Sequence, residues 1–196
     1  MRVIGGEFRS RRLLSPPGEG TRPTSDRLRE TLFNVLGPGI VGARFLDLFA
    51  GTGAVGVEAL SRGAAISVFA ERGPAALAAL RGNVAALALG ARARVESRSS
   101  MATLQRLAEV RESFDFVFLD PPYEALEEYT DILGLLGREA ATLLREGAVV
   151  IAEHARRQAL PQRFGALVQR RVLEQGDAAL SFYAAQTSEE TPRTEP

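Results

Sequence analysis

Two apolar periods run along this chain. Between residues 44 and 153, short apolar runs alternate with stretches whose apolar positions fall three or four apart. The runs predict strands at 44–49, 66–71, 92–97, 114–119 and 148–153. The stretches between them predict helices at 54–62, 74–88, 101–111 and 126–145. This alternation argues for a parallel sheet covered by helices on both faces. Phe45, Phe49, Phe116 and Phe118 alternate along strands and are expected in the core. Glu58 and the acids of 124–131 are expected on exposed helix faces.

The ends of the chain follow a different pattern. MRVIGGEFRSRRLL reads as a short strand, a Gly5-Gly6 turn and a basic strand. A Pro/Gly-rich loop runs to residue 23. Thr24 or Ser25 then caps a helix over 24–36, with an apolar stripe at Leu28, Leu32, Val35 and Leu36. Residues 167–174 and 179–185 predict a closing hairpin. The polar segment 186–196 is expected to be disordered. Residues 1–185 read as one domain, with a core over 44–185.

Composition narrows the chemistry. All 24 basic side chains are Arg, which excludes P-loop and Schiff-base lysine chemistry. There is no Cys and a single His, so neither a thiolate nor a His-based metal site is expected. Net charge is zero, but residues 1–30 carry seven Arg against four acids. That asymmetry fits local phosphate binding by the N-terminal segment or, as readily, a solvated basic patch. Without a long apolar run or a signal peptide, a soluble cytoplasmic protein is expected.

Two motifs carry candidate chemistry. Gly51-Thr52-Gly53-Ala54-Val55-Gly56 fits G-x-G-x-x-G between a strand and a helix, with Glu71 twenty residues on, positioned to meet ribose hydroxyls. The glycines alone suit a dinucleotide dehydrogenase equally well. Asp47, four residues before Gly51, shifts the reading, because an acid there suits a ligand with an ammonium group and no phosphate. S-adenosylmethionine is such a ligand. The second motif is Asp120-Pro121-Pro122-Tyr123 at the end of the fourth predicted strand. A residue before proline is held extended. Asp120 and the Pro121 carbonyl therefore form a pair of acceptors beside the flat ring of Tyr123. Two acceptors and a ring match the exocyclic amine of a planar base. In a doubly wound sheet the first and fourth strands are neighbours, so both motifs should share one crevice.

With these motifs in place, MRVIGGEFRSRRLLSPPGEGTRPTSDRLRETLFNVLG resembles the opening of the RsmD family, bacterial 16S rRNA guanine-N2 methyltransferases. The resemblance covers residues 1–185. It implies a class I S-adenosylmethionine-dependent methyltransferase fold: α/β, Rossmann-like, with a seven-stranded, mostly parallel sheet and a short N-terminal β-ribbon. It implies methylation of one guanine N2 in 16S rRNA, at position 966 in the family. The substrate would be an assembled or partly assembled small ribosomal subunit, and the enzyme a monomer. By that resemblance Asp47, Gly51, Thr52, Gly53 and Glu71 serve the cofactor, and Asp120, Pro121, Pro122 and Tyr123 the target base. Arg22 and Thr24 match the family's RPT element near the active site. Arg2, Arg9, Arg11 and Arg12 would grip rRNA phosphates, with Phe8 placed to stack. Where the family often carries an acid near the cofactor's adenine, this chain has Ser99, which can accept one hydrogen bond but brings no charge. An N6-adenine methyltransferase shares the DPPY element and stays open as an alternative, as does a non-catalytic RNA-binding assembly factor. His154 and Glu153 close the fifth strand and are expected to be incidental to the chemistry.

Overall fold

The computed structural model describes residues 1–16, 25–122 and 126–186. Helix α1 (Asp26–Leu36) precedes a run of alternating elements. These are β1 (Arg44–Asp47), α2 (Ala54–Ser61), β2 (Ile66–Ala70), α3 (Pro74–Ala86), β3 (Ala93–Glu96), α4 (Ser100–Glu109) and β4 (Phe114–Leu119). Then follow α5 (Leu126–Arg138), α6 (Ala140–Leu143), β5 (Leu144–Ala155), β6 (Arg163–Phe164), β7 (Leu167–Gln175) and β8 (Ala178–Ala185). The sheet order is β3-β2-β1-β4-β5-β8-β7-β6. Strands β1 to β5 run parallel, and the last three join antiparallel.

Two details correct the sequence reading. Among the described residues the sheet has eight strands rather than seven, the extra one being the two-residue edge strand β6. The helix expected over 126–145 ends at Arg138, and after one short turn β5 begins at Leu144. The end of α5 is also a point of close approach. A Cβ on Gly137 would lie 1.8 Å from the Phe164 carbonyl oxygen, so the end of α5 packs directly on the backbone of β6.

Strand alternation builds two cores, one on each face. Phe45, Phe69, Phe116 and Phe118 pack on one side with residues of α1, α2 and α3. Leu46, Val68, Val117 and Leu119 pack on the other with residues of α4 and α5. The register of β1 against β4 sets Asp47 opposite Phe118. Asp120 follows two residues later, at the same end of the sheet as the glycine loop after β1.

The N-terminal ribbon is shorter than expected. Its two arms share one isolated antiparallel bridge, Arg2 with Arg12. It is formed by hydrogen bonds from Val3 N–H to the Arg11 carbonyl and from Leu13 N–H to the Met1 carbonyl, and Ser10 N–H donates to the Val3 carbonyl beyond it. Gly6 serves packing more than the turn. Its φ is +75°, and a Cβ there would lie 1.8 Å from the Ser61 carbonyl oxygen at the end of α2. Glu58, far from exposed, is wholly buried on α2, where it accepts hydrogen bonds from Ile4 and Gly5 N–H, each at 2.8 Å.

Candidate active site

The glycine loop and the Asp120 turn line one cavity of about 1140 Å³ at the carboxyl ends of β1 and β4. Asp47, Gly51, Thr52 and Glu71 form one part of its wall, and Asp120, Pro121 and Pro122 another. Ser99 lies on the wall as well, and so do Met1, Ser15 and Pro16 of the N-terminal segment. The two motifs thus meet where the strand order places them.

The three motif glycines have separate physical roles. Gly51 has φ +54°, and a Cβ there would meet nothing within 4 Å. Its backbone faces open space, as close approach of a ligand requires. Gly53 caps α2 in the left-handed region, with φ +85°. A Cβ on it would lie 2.5 Å from Leu80 Cδ1, and the residue is absent from the cavity wall. Gly53 therefore serves packing and the turn. Gly56 lets α2 sit against β2, since a Cβ there would lie 2.3 Å from the Phe69 ring.

The acids that line the cavity also build its loops. Asp47 is buried and accepts a hydrogen bond from Gly56 N–H at 3.0 Å. Burial pushes its pKa up from 3.8 to about 7; the Gly56 N–H opposes that rise, and the nearby Glu71 charge adds to it. Glu71 accepts from Gly51 N–H at 2.8 Å and from Gly73 N–H at 2.6 Å, so it fastens the glycine loop to the end of β2. Each carboxylate oxygen keeps a second lone pair for a ligand. Ser99 caps α4, accepting from Ala102 N–H at 3.2 Å. Its neighbour Ser100, not singled out in the sequence, hydrogen-bonds the Leu48 carbonyl and ties α4 to the loop after β1.

At the second motif, Asp120 is half-buried and Pro121 buried. Tyr129 of α5, another residue missed in the sequence, reaches behind them. Its hydroxyl donates to the Glu153 carbonyl at 2.6 Å and lies 3.4 Å from the Pro121 carbonyl oxygen. One proton cannot serve both fully, so the shorter bond takes it and the Pro121 oxygen keeps acceptor capacity. Tyr123, Arg22 and Thr24 lie outside the described residues. His154 is buried, with Nε2 2.8 Å from Ser181 Oγ and Nδ1 3.0 Å from the Ala155 carbonyl oxygen. Burial lowers its pKa, the behaviour of a structural imidazole.

Of the expected RNA contacts, Arg9, Arg11 and Arg12 are exposed. Arg2 is exposed and pairs with Asp26 at 3.8 Å. The Phe8 ring already has a partner, the Arg92 guanidinium 5.4 Å from its centroid. Asn83 on α3 and Arg29 on α1 escaped the sequence reading, and both are buried. Arg29 donates to the Arg2 carbonyl at 2.6 Å and faces Glu58 at 3.6 Å. Glu58 and Arg62 at helical i, i+4 spacing were the visible signal for this cluster. An asparagine three residues after Leu80 on an apolar stripe was the signal for Asn83.

Comparison with known proteins agrees with this geometry. Residues 1–184 match the family model described as Conserved hypothetical protein 95. Ribosomal RNA small subunit methyltransferase D of Escherichia coli K12 is 46% identical over 145 residues, 71% of each chain. A Bacillus subtilis protein named "Putative rRNA methyltransferase YlbH" is 37% identical over 183 residues, covering 93% of this chain and 98% of its own. The solved structure of yhhF from Escherichia coli superposes with a TM-score of 0.80 at 38% identity, covering 95% of this chain and 98% of that one. The sheet order and helical layers are those of the class I methyltransferase fold. This chain therefore belongs to the Conserved hypothetical protein 95 family, the RsmD family of ribosomal RNA small subunit methyltransferases.

Proposed function

We propose that the protein transfers the methyl group of S-adenosylmethionine to the exocyclic N2 of one guanine in small-subunit rRNA. The observation that carries this reading is the shared cavity of Gly51, Glu71, Asp120 and Pro121 at the ends of adjacent strands. The residues fit the donor. Five acids, Asp47, Glu71, Asp120, Glu128 and Asp131, line the space against two arginines, Arg72 and Arg98, and complement a cation. Gly51 leaves room for close approach, and the cavity exceeds the ~300–1,000 Å³ usual for one drug-sized ligand. A donor and a splayed base can share it.

Asp47 and Glu71 would hold the donor's ammonium and ribose, with Thr52 beside them. When bound, S-adenosylmethionine supplies an electrophilic methyl group. Asp120 and the Pro121 carbonyl accept the two N–H bonds of the target amine. That amine is a weak nucleophile, because its lone pair is delocalised into the ring. Acceptors on both hydrogens favour pyramidalisation and stabilise the positive charge that develops on nitrogen. They also fix its direction of attack. Pro121 and Pro122 hold the turn rigid, and Tyr129 sets its height. The exposed Arg9, Arg11 and Arg12 supply phosphate contacts on the N-terminal segment. Names of relatives that act on ribosomal RNA support this substrate class.

The test is methyl transfer from labelled S-adenosylmethionine to small subunits prepared from cells lacking this activity. Mass-spectrometric mapping should place the label on the N2 of one guanine. Label on adenine N6 would assign the alternative chemistry, and no incorporation into RNA would overturn the reading.

A further inference from the structure

We propose that Asn83 is a positioning residue that fastens the N-terminal segment to the donor loop, so that RNA and donor bind cooperatively. The inference rests on the function proposed above. Asn83 is 1% exposed on α3. Its Oδ1 accepts from Leu14 N–H at 2.7 Å. Its Nδ2 donates to the Leu14 carbonyl at 3.2 Å and to the Thr52 carbonyl at 2.9 Å. One donor and two acceptors around it fix the orientation of the amide, since a flip would set its NH₂ against an N–H.

One partner of Asn83 lines the cavity, and the other adjoins residues that do. Thr52 is on its wall, and Leu14 leads directly into Ser15 and Pro16, which are on it too. One side chain therefore spans the glycine loop and the segment that carries Arg9, Arg11 and Arg12. The other arm of that segment is fixed to α2, the helix that the glycine loop opens, through the bonds from Ile4 and Gly5 to Glu58. If the segment lifts away, Asn83 loses two of its three bonds inside the protein. The bond to Thr52 then lacks the contacts that orient the amide. A ligand that orders Thr52 favours the seated segment, and RNA that holds the segment favours the ordered loop. Such coupling is reciprocal by linkage.

The test is equilibrium dialysis of labelled S-adenosylhomocysteine against the full chain, with and without unmodified small-subunit rRNA. The wild type should bind it roughly fivefold or more tightly with RNA present. Asn83→Asp keeps the shape and the acceptor for Leu14 N–H but replaces both amide donors. It should bring that ratio close to one. If this variant does not fold, Leu14→Pro, which deletes the N–H seen by Asn83, should reduce the ratio likewise. A merely structural Asn83 would weaken folding and leave the ratio unchanged. No coupling in the wild type, or coupling kept in the folded variants, overturns the inference. Failure of the proposed function looks different: the wild type would bind no S-adenosylhomocysteine or no RNA at all.

Discussion

Arg29 and Glu58 face each other at 3.6 Å with both side chains wholly shielded from solvent. Arg29 comes from α1, Glu58 from α2, and between them they bind the backbone of residues 2, 4 and 5. Without Glu58, the buried Arg29 keeps only the half-exposed Asp26 as an acid partner, at 3.0 Å, and breaking a buried pair typically costs about 3–5 kcal/mol. Glu58→Ala should therefore destabilise the protein by about that much in chemical denaturation. Adding Arg29→Met should recover only part of the loss, because Ile4 and Gly5 N–H still lack their acceptor. A double variant as stable as the wild type would show that the backbone bonds to Glu58 contribute little.

The glycines of the donor loop should separate stability from binding. Gly53→Ala meets Leu80 at 2.5 Å in the left-handed region, so it should cost roughly 2 kcal/mol or more. Gly51→Ala has free space and only backbone strain, roughly 1 kcal/mol. Yet its methyl would occupy the open face of the loop. Calorimetric titration of S-adenosylhomocysteine should show Gly51→Ala losing at least about tenfold in affinity, equivalent to ~1.4 kcal/mol. If Gly51→Ala binds normally, the ligand does not approach the backbone there.

This division of labour shows what the sequence can and cannot disclose. The β1–β4 neighbourhood followed from strand alternation alone, and Asp120 came out beside Gly51 as the topology requires. The spacing G-x-G-x-x-G located the loop but could not say which glycines are demanded by packing, because that depends on Leu80 and Phe69 packed from elsewhere. Glu58 read as a surface acid because its four neighbours in space come from distant segments or sit behind an ordinary i, i+4 pair. Asn83 shows in the sequence only as an asparagine on an apolar stripe, since its three bonds reach 69 and 31 residues away. The role of Gly137 was hidden for the same reason: only the approach of Phe164 reveals why a glycine stands there.

Asp47 should give the fold a pH dependence near neutrality. Burial raises its pKa from 3.8 to about 7, so folding favours the protonated carboxyl. That contribution is full below the ordinary value of 3.8, fades as pH rises and is lost above about 7. Asp47→Asn retains an oxygen for Gly56 N–H and does not titrate. Its stability relative to the wild type should therefore increase between pH 4 and pH 8. Thermal melts of the two ligand-free proteins across that range provide the check. A constant difference would mean that the Asp47 carboxyl is ionised in the folded protein throughout.

Asp120 offers the sharpest kinetic prediction. Its carboxylate is expected to act on the target amine only, not on the donor. Asp120→Ala should therefore leave S-adenosylhomocysteine affinity within about twofold while slowing single-turnover methyl transfer by roughly 10²–10³, the usual cost of one transition-state acceptor. Asp120→Asn should fall between, because its amide oxygen still accepts one hydrogen bond. A general base in the strict sense would behave differently: Asn would then be as inactive as Ala. Acceptor chemistry instead gives the graded series. Equal rates for all three proteins would remove Asp120 from the reaction and leave the Pro121 carbonyl as the remaining acceptor at that strand end.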